Sequence, residues 1–179
     1  MFNNLFGKKK DKFDFSDVTF ISQKAKTNAL LKIAKANKDF LFIAWFPDTL
    51  HFYKDCFSAN DIDPERIIDA KQFSGFKVKE RQLIFLEHFP LRSKEEELLK
   101  NLPLKKVTVY NSLDEALFSS FGSERIIELL KKMGMQEDEE IKHTLVSKSI
   151  VNAQQKIAEK IIFENSASSQ REWIEKNIK

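Results

Sequence analysis

Apolar and polar positions alternate with different periods along this chain, and each change of period marks a structural element. The first fifteen residues, MFNNLFGKKKDKFDF, mix Phe with a Lys cluster and keep neither a helical nor a strand period, so residues 1–16 read as a flexible arm. Val18, Phe20 and Ile21 then form a short strand, and Ala29, Leu30, Ile33 and Ala34 follow at helical spacing. FLFIAWF, residues 40–46, is a continuous apolar run between Asp39 and Pro47, which predicts a strand buried on both faces of a parallel sheet. Pro47 and Asp48 open a helix through Leu50, Phe52, Tyr53 and Phe57.

Further strands are predicted at 65–70, 81–89 and 105–113, with a polar loop around Gly75 and a helix over 93–102 started by Ser93. Buried strands alternating with helices define an α/β fold, a mainly parallel sheet flanked by helices on both faces. Beyond Asp114 the pattern is helical only: EALFSSFG, a helix capped by Ser123, a long segment over 139–160, and a last helix after the polar break 164–170 that carries Trp173 back onto the body.

Composition narrows the class. Hydrophobic residues at 42% and charged residues at 32% suit a globular domain, and no apolar run reaches the ~18 residues of a membrane span. Four Gly and four Pro disfavour glycine-rich phosphate loops and an all-β sandwich. The single Cys56 excludes an intrachain disulfide framework, and with no leader pattern a cytoplasmic location is expected. A net charge of +3 announces no nucleic-acid partner. Seventeen Phe demand a packed core or a buried interface.

Candidate chemistry concentrates at strand ends. Glu87 and His88 stand at the carboxyl end of a buried strand, where ligands of open α/β sheets bind, with Asp48 just past the strand at 40–46. Adjacent strand residues face opposite sides, so Glu87 is not expected to polarise His88, and the histidine is expected to be satisfied by a loop carbonyl. Cys56 reads as core packing. His51, His88 and His143 lack ligand spacing, and no metal or cofactor is expected. Asp61, Asp63 and Glu65 are broken by Pro64 and read as a turn rather than a calcium loop. Lys131, Lys132, Lys142, Lys148 and Lys156 would form a basic face, but acidic residues 137–140 interrupt it.

A resemblance adds to this reading. FGSERIIELLKKMGM, then IKHTLVSKSIVNAQQKI, resembles the region where the second RecA-like domain of the SecA preprotein-translocase ATPase family hands over to its scaffold helix. Glu124, Arg125 and Ile126, then Met133, Gly134 and Met135, Ile141 and His143, Ser147 to Ile150, and Ala153 and Gln154 follow that family's order. VTVYNSLDEALFSSFG is similar to the last strand and small helix of the same domain, through Ser112, Asp114, Ala116, Leu117 and Phe121. FISQKAKTNALL, through Lys24, Ala25, Lys26 and Ala29, is similar to its first helix, and FLFIAWFPDT takes the place of its next strand.

The resemblance implies a single RecA-like (P-loop NTPase-like) domain over 17–135 with a helical C-terminal extension over 136–179. It departs where the family handles ATP: Phe89-Pro90-Leu91-Arg92 stands where a Gly-Arg-Gly turn is expected, and Arg92 is the only arginine near that place. No Gly-x-x-x-x-Gly-Lys-Thr/Ser loop occurs in these residues either. The expectation is therefore a stand-alone, degenerate, non-catalytic SecA-like interaction module, accessory to preprotein translocation. A small α/β enzyme using Asp48, Glu87 and His88, and a helicase-derived nucleic-acid binder, are the alternatives. Leu145, Val146, Ile150, Ala153, Ile157 and Ile161 form an apolar stripe that must fold back on its own sheet, pair with a second copy, or bind a protein partner.

Overall fold

The computed structural model describes residues 13–73, 81–100, 106–142 and 144–178. Five strands, β1 (Asp14–Phe20), β2 (Phe40–Ala44), β3 (Ile67–Asp69), β4 (Gln82–Phe85) and β5 (Lys106–Ser112), form one sheet in the order β1-β5-β4-β2-β3. Every pairing is parallel, in register from Asp14 with Lys106 to Phe20 with Ser112 along the longest ladder. The α/β parallel-sheet expectation is met.

Period-two alternation splits the sheet into two cores. Phe42, Ala44, Ile84 and Leu86 face one side, where α1 (Gln23–Ala36) lays down Leu30 and Ala34, and α2 (Pro47–Ser58) adds Tyr53 and Phe57. Leu41, Ile43, Leu83, Phe85, Val107 and Val109 face the other. That side is covered by Leu99 of α3 (Arg92–Leu99), Leu117 of α4 (Ala116–Ser119), Ile150 of α6 (Thr144–Ala158) and Trp173 of α7 (Gln170–Asn177). The described part of the C-terminal segment thus shares one layer with α3 and α4 over that face of the sheet.

Local starts and stops differ from the sequence reading in several places: β3 covers only 67–69 of the strand expected at 65–70, β4 ends at Phe85 rather than 89, and α6 starts at Thr144 rather than 139. β1 begins at Asp14, so Asp14, Phe15 and Ser16 belong to the sheet rather than to the arm. Ser93 does not cap α3, which begins one residue earlier after Leu91. Ser123 does not cap α5 (Ser123–Lys132) either: Gly122, at φ 82, takes the cap position in the left-handed region, and Ser123 Oγ donates to the Leu113 carbonyl at 2.5 Å. Ser22 does cap α1, accepting from the Ala25 amide.

The α1 to β2 corner is held by a residue the sequence reading passed over. Arg66 is buried, and its guanidinium donates to the Ala34, Asn37 and Phe40 carbonyls at 2.8, 2.7 and 3.1 Å. Two of these carbonyls close the carboxyl end of α1, where the helix dipole favours a cation. Burial holds the guanidinium below its usual value, yet far within its charged range.

Candidate functional site

The chain leaves β2 toward β3 and leaves β4 toward β5 in the opposite direction, and α2 and α3, which follow these strands, pack on opposite faces. The carboxyl ends of β2 and β4 therefore border the crevice where an open α/β sheet presents ligands. Asp48, Glu87 and His88 all lie there, but they do not form one constellation.

His88 turns into the protein. It is 0% exposed, with Nε2 2.7 Å from Asp17 Oδ1 on β1 and Nδ1 2.7 Å from Glu95 Oε1 on α3. Burial alone would depress the imidazole; the charge of Glu95 and the hydrogen bonds to both carboxylates reverse this and push it up to about 9. Burial pushes Asp17 up, and the hydrogen bond and charge of His88 outweigh it, so the carboxyl sits below its usual range. The histidine is thus an imidazolium clamped by two acids rather than a ring satisfied by a loop carbonyl. Both nitrogens are engaged, which leaves no lone pair for general-base work.

Glu95 extends the clamp, accepting from the Phe89 amide at 2.9 Å, from Gln154 of α6 at 3.0 Å and from Arg92 at 3.3 Å. Arg92 also reaches Glu96 at 3.7 Å and stacks on the Phe15 ring at 3.4 Å. Gln170 Nε2 donates to the His88 carbonyl at 2.9 Å and Gln154 Nε2 to that of Phe89 at 2.8 Å, so both C-terminal helices are tied to the end of β4.

Glu87 faces the other side. Its Oε2 accepts from Thr49 Oγ1 at 2.9 Å, and its Oε1 has no hydrogen-bond partner among the described residues. Burial raises its carboxyl to about 7, against the opposing charge of Lys26. Lys26, itself buried, pairs with Glu115 Oε1 at 2.5 Å, and despite burial that pairing holds its ammonium above the usual range. Lys26, Thr49, Tyr53, Glu87, Glu115 and Arg171 line a cavity of about 340 Å³. A second cavity of about 800 Å³ opens on the opposite side of the crevice, between Trp45, Phe46, Phe89 and Trp173. Residues 168–170 cross between them: the Asp48 amide donates to the Ser168 carbonyl at 2.9 Å, and Leu117 N to Gln170 Oε1 at 2.8 Å.

The other candidates stay apart. Cys56 is half-buried, its thiol pushed up by burial, and His51 is exposed. His143 and the side chain of Leu145 lie outside the described residues. Among the described residues no three His, Cys, Asp or Glu gather as metal ligands, and no helix is long and apolar enough to cross a membrane. Asp63 accepts from the Glu65 amide at 3.0 Å, as a turn residue does. Of the C-terminal stripe, Ile150, Ala153 and Ile157 are 1%, 6% and 1% exposed in the core, with Val146 and Ile161 packed partly buried against it.

Accessible apolar side chains stand at Ile162 and Phe163, 86% and 82% exposed just past α6, and as a helical stripe on α5. Ile126, Leu129 and Met133 are 49%, 57% and 74% exposed, while Ile127 and Leu130 pack against the core. At 3.6 residues per turn these five side chains sweep an arc of about 160°, only half of it covered. The signal is present in the sequence as plain helical spacing of Ile126, Leu129 and Met133.

No protein-family model matches the chain. Protein translocase subunit SecA of Christiangramia forsetii is 50% identical over 50 residues, covering 28% of this chain and 4% of that protein. SecA of Acidithiobacillus ferrooxidans is 52% identical over 48 residues, covering 27% and 5%, and that of Flavobacterium psychrophilum 36% identical over 75 residues, covering 37% and 7%. The chain therefore contains a SecA-related segment and spans a small fraction of these relatives' length.

Proposed function

We propose that this domain is a non-catalytic interaction module that docks on a subunit of a protein translocase through the exposed face of α5. The observation that carries the reading is the uncovered stripe Ile126, Leu129 and Met133, borne by the same FGSERIIELLKKMGM segment that resembles SecA. Large apolar side chains at helical spacing on one open face are the form in which a helix meets a protein partner. The occupant is assigned to the translocase because the relatives that share sequence with this chain are themselves named as translocase subunits.

Two observations support the absence of ATP chemistry in this reading. The turn after β4 is Phe89-Pro90-Leu91 and offers no glycine through which a backbone could approach a polyphosphate. Arg92, the arginine at that turn, is already engaged by Glu95, Glu96 and the Phe15 ring. The test is recovery of the tagged chain from its host with mass spectrometry of translocase subunits. They should accompany the parent and be lost from a variant carrying Ile126→Asp and Leu129→Asp. Equal recovery with both proteins, or no translocase subunit with either, would remove the proposal.

A further inference from the structure

Both tryptophans of the chain, Trp45 and Trp173, stand on the wall of the larger crevice cavity, about 800 Å³ in volume, with Phe46, Phe73, Phe89 and Leu98 beside them. The rings brace one another: Phe46 stacks on Phe89 at 5.5 Å, and Trp173 meets Phe89 edge-on at 5.4 Å. Aromatic walls around a space of this size gain most when another apolar group displaces the water between them.

A matching group stands at the mouth. Ile162 and Phe163 are 86% and 82% exposed, and the next residue, Glu164, is itself part of the cavity wall. Glu164 is fixed in place, since its Oε1 accepts from Trp173 Nε1 at 3.3 Å and its Oε2 pairs with Lys94 at 3.2 Å. Consecutive Cα atoms lie about 3.8 Å apart, so Phe163 is held one residue from the rim. Its ring is turned to solvent rather than into the cavity of its own molecule.

We propose that two copies of this chain associate about a two-fold axis, each inserting Ile162 and Phe163 into the aromatic cavity of the other. A knob and a hole side by side on one surface are what such an isologous contact requires, because the rotation that seats one knob seats its counterpart as well. The charge on the cavity wall suits a second copy too. It comprises Lys71 and Lys94 against Glu97 and Glu164, and beyond the Lys94–Glu164 pair the remaining lysine and glutamate have no ion-pair partner among the described residues. A surface carrying both signs equally is complementary to itself, whereas a surface of one sign would repel its copy. This contact does not use α5 and does not rest on its docking role.

Sedimentation equilibrium of the full chain over about 1–500 µM tests this, with the emission of Trp45 and Trp173 followed through the same dilution series. The parent should show a monomer–dimer equilibrium with a dissociation constant on the order of 10 µM, and its emission should move to the red as dilution empties the cavity. Ile162→Ser with Phe163→Ser alters only solvated side chains, so it should keep the parent's circular dichroism while weakening association at least about tenfold and abolishing the emission shift. Ala167→Phe, which fills the cavity from its wall, should weaken association likewise, with circular dichroism as the check on its fold. An equal mixture of these two variants should associate more tightly than either alone, because one intact knob and one intact hole then meet. Ile126→Asp with Leu129→Asp should dimerise as the parent does, which keeps this contact distinct from translocase docking. A parent that is monomeric throughout, association unchanged by the 162–163 variant, association lost only from the α5 variant, or a mixture no tighter than its components would each overturn the proposal.

Discussion

His88 Nδ1 lies 2.7 Å from Oε1 of Glu95, deep in the molecule, and this contact joins the end of β4 to the helix that follows it. With Asp17 on the other ring nitrogen, the imidazolium links the edge strand β1 to α3 across the sheet. Because Glu95 and the adjoining carbonyls also hold Gln154 and Gln170, the clamp reaches every layer on that face.

A pH dependence follows from this clamp. The folded imidazole titrates at about 9 against about 6.5 unfolded, so its contribution is complete below pH 6.5 and is lost as pH rises through 9. Denaturant midpoints should fall between pH 7 and 9.5 for the parent. His88→Ala should show little of that fall and should lose about 3–5 kcal/mol at pH 7, since two buried carboxylates lose their cation. A parent whose stability rises over that pH range would contradict the clamp.

Glu87 carries the opposite instruction for stability. Its folded pKa of about 7 exceeds the unfolded value near 4.3, so the native state holds the proton more tightly, and stability drains as pH rises from about 4 to 7. Glu87→Gln should therefore stabilise the protein by about 1–3 kcal/mol at pH 8 and leave it nearly unchanged at pH 4. Thermal melts at the two pH values check this; a variant less stable at pH 8 would show that Glu87 is paired rather than strained.

Much of the sheet was legible because its central strands are buried on both faces, which leaves uninterrupted apolar runs such as 40–46 and 83–86. The start of β1 was not, because Asp14, Ser16 and Asp17 sit on an edge strand whose polar residues hide its period. Glu95 looked like an ordinary first-turn acid, and nothing near Asp17 points 71 residues ahead to His88, so the clamp is a product of topology. Ser93 and Ser123 fit the cap preference in type, but the Ser123 hydroxyl is taken by the Leu113 carbonyl, and Ser93 lies inside the first turn of α3.

Arg66 offers a test of how the α1–β2 corner is held. Arg66→Ala leaves the Ala34, Asn37 and Phe40 carbonyls without their donor and should cost about 3 kcal/mol. Arg66→Lys keeps the charge but not the planar fork and should recover less than half of that. Chemical denaturation of both variants gives the two numbers, and a lysine variant equal to the parent would mean that charge alone suffices.

Calorimetry with Mg-ATP should be flat, because Arg92 is committed to Glu95 and Glu96 and the turn beside it has no glycine. Arg92→Ala should not change that result. A micromolar isotherm abolished by Arg92→Ala would show that the arginine leaves its carboxylates for phosphate, and the reading of a degenerate site would fall.

The sharpest contrast is between two apolar stripes on neighbouring helices. Ile150 and Ile157, one heptad apart on α6, are each 1% exposed among the side chains that cover the sheet, whereas Ile126 and Leu129 on α5 are about half exposed. Asp at both α6 positions would bury two carboxylates with no cation beside them. That costs several kcal/mol apiece, against a total stability of about 5–15 kcal/mol for a domain of this size. Ile150→Asp with Ile157→Asp should thus abolish the cooperative transition seen by circular dichroism. Ile126→Asp with Leu129→Asp changes only solvated surface and should shift stability by no more than about 1 kcal/mol. A folded α6 double variant that has lost only its partner would move the docking face to α6, and an unfolded α5 variant would place that helix in the core.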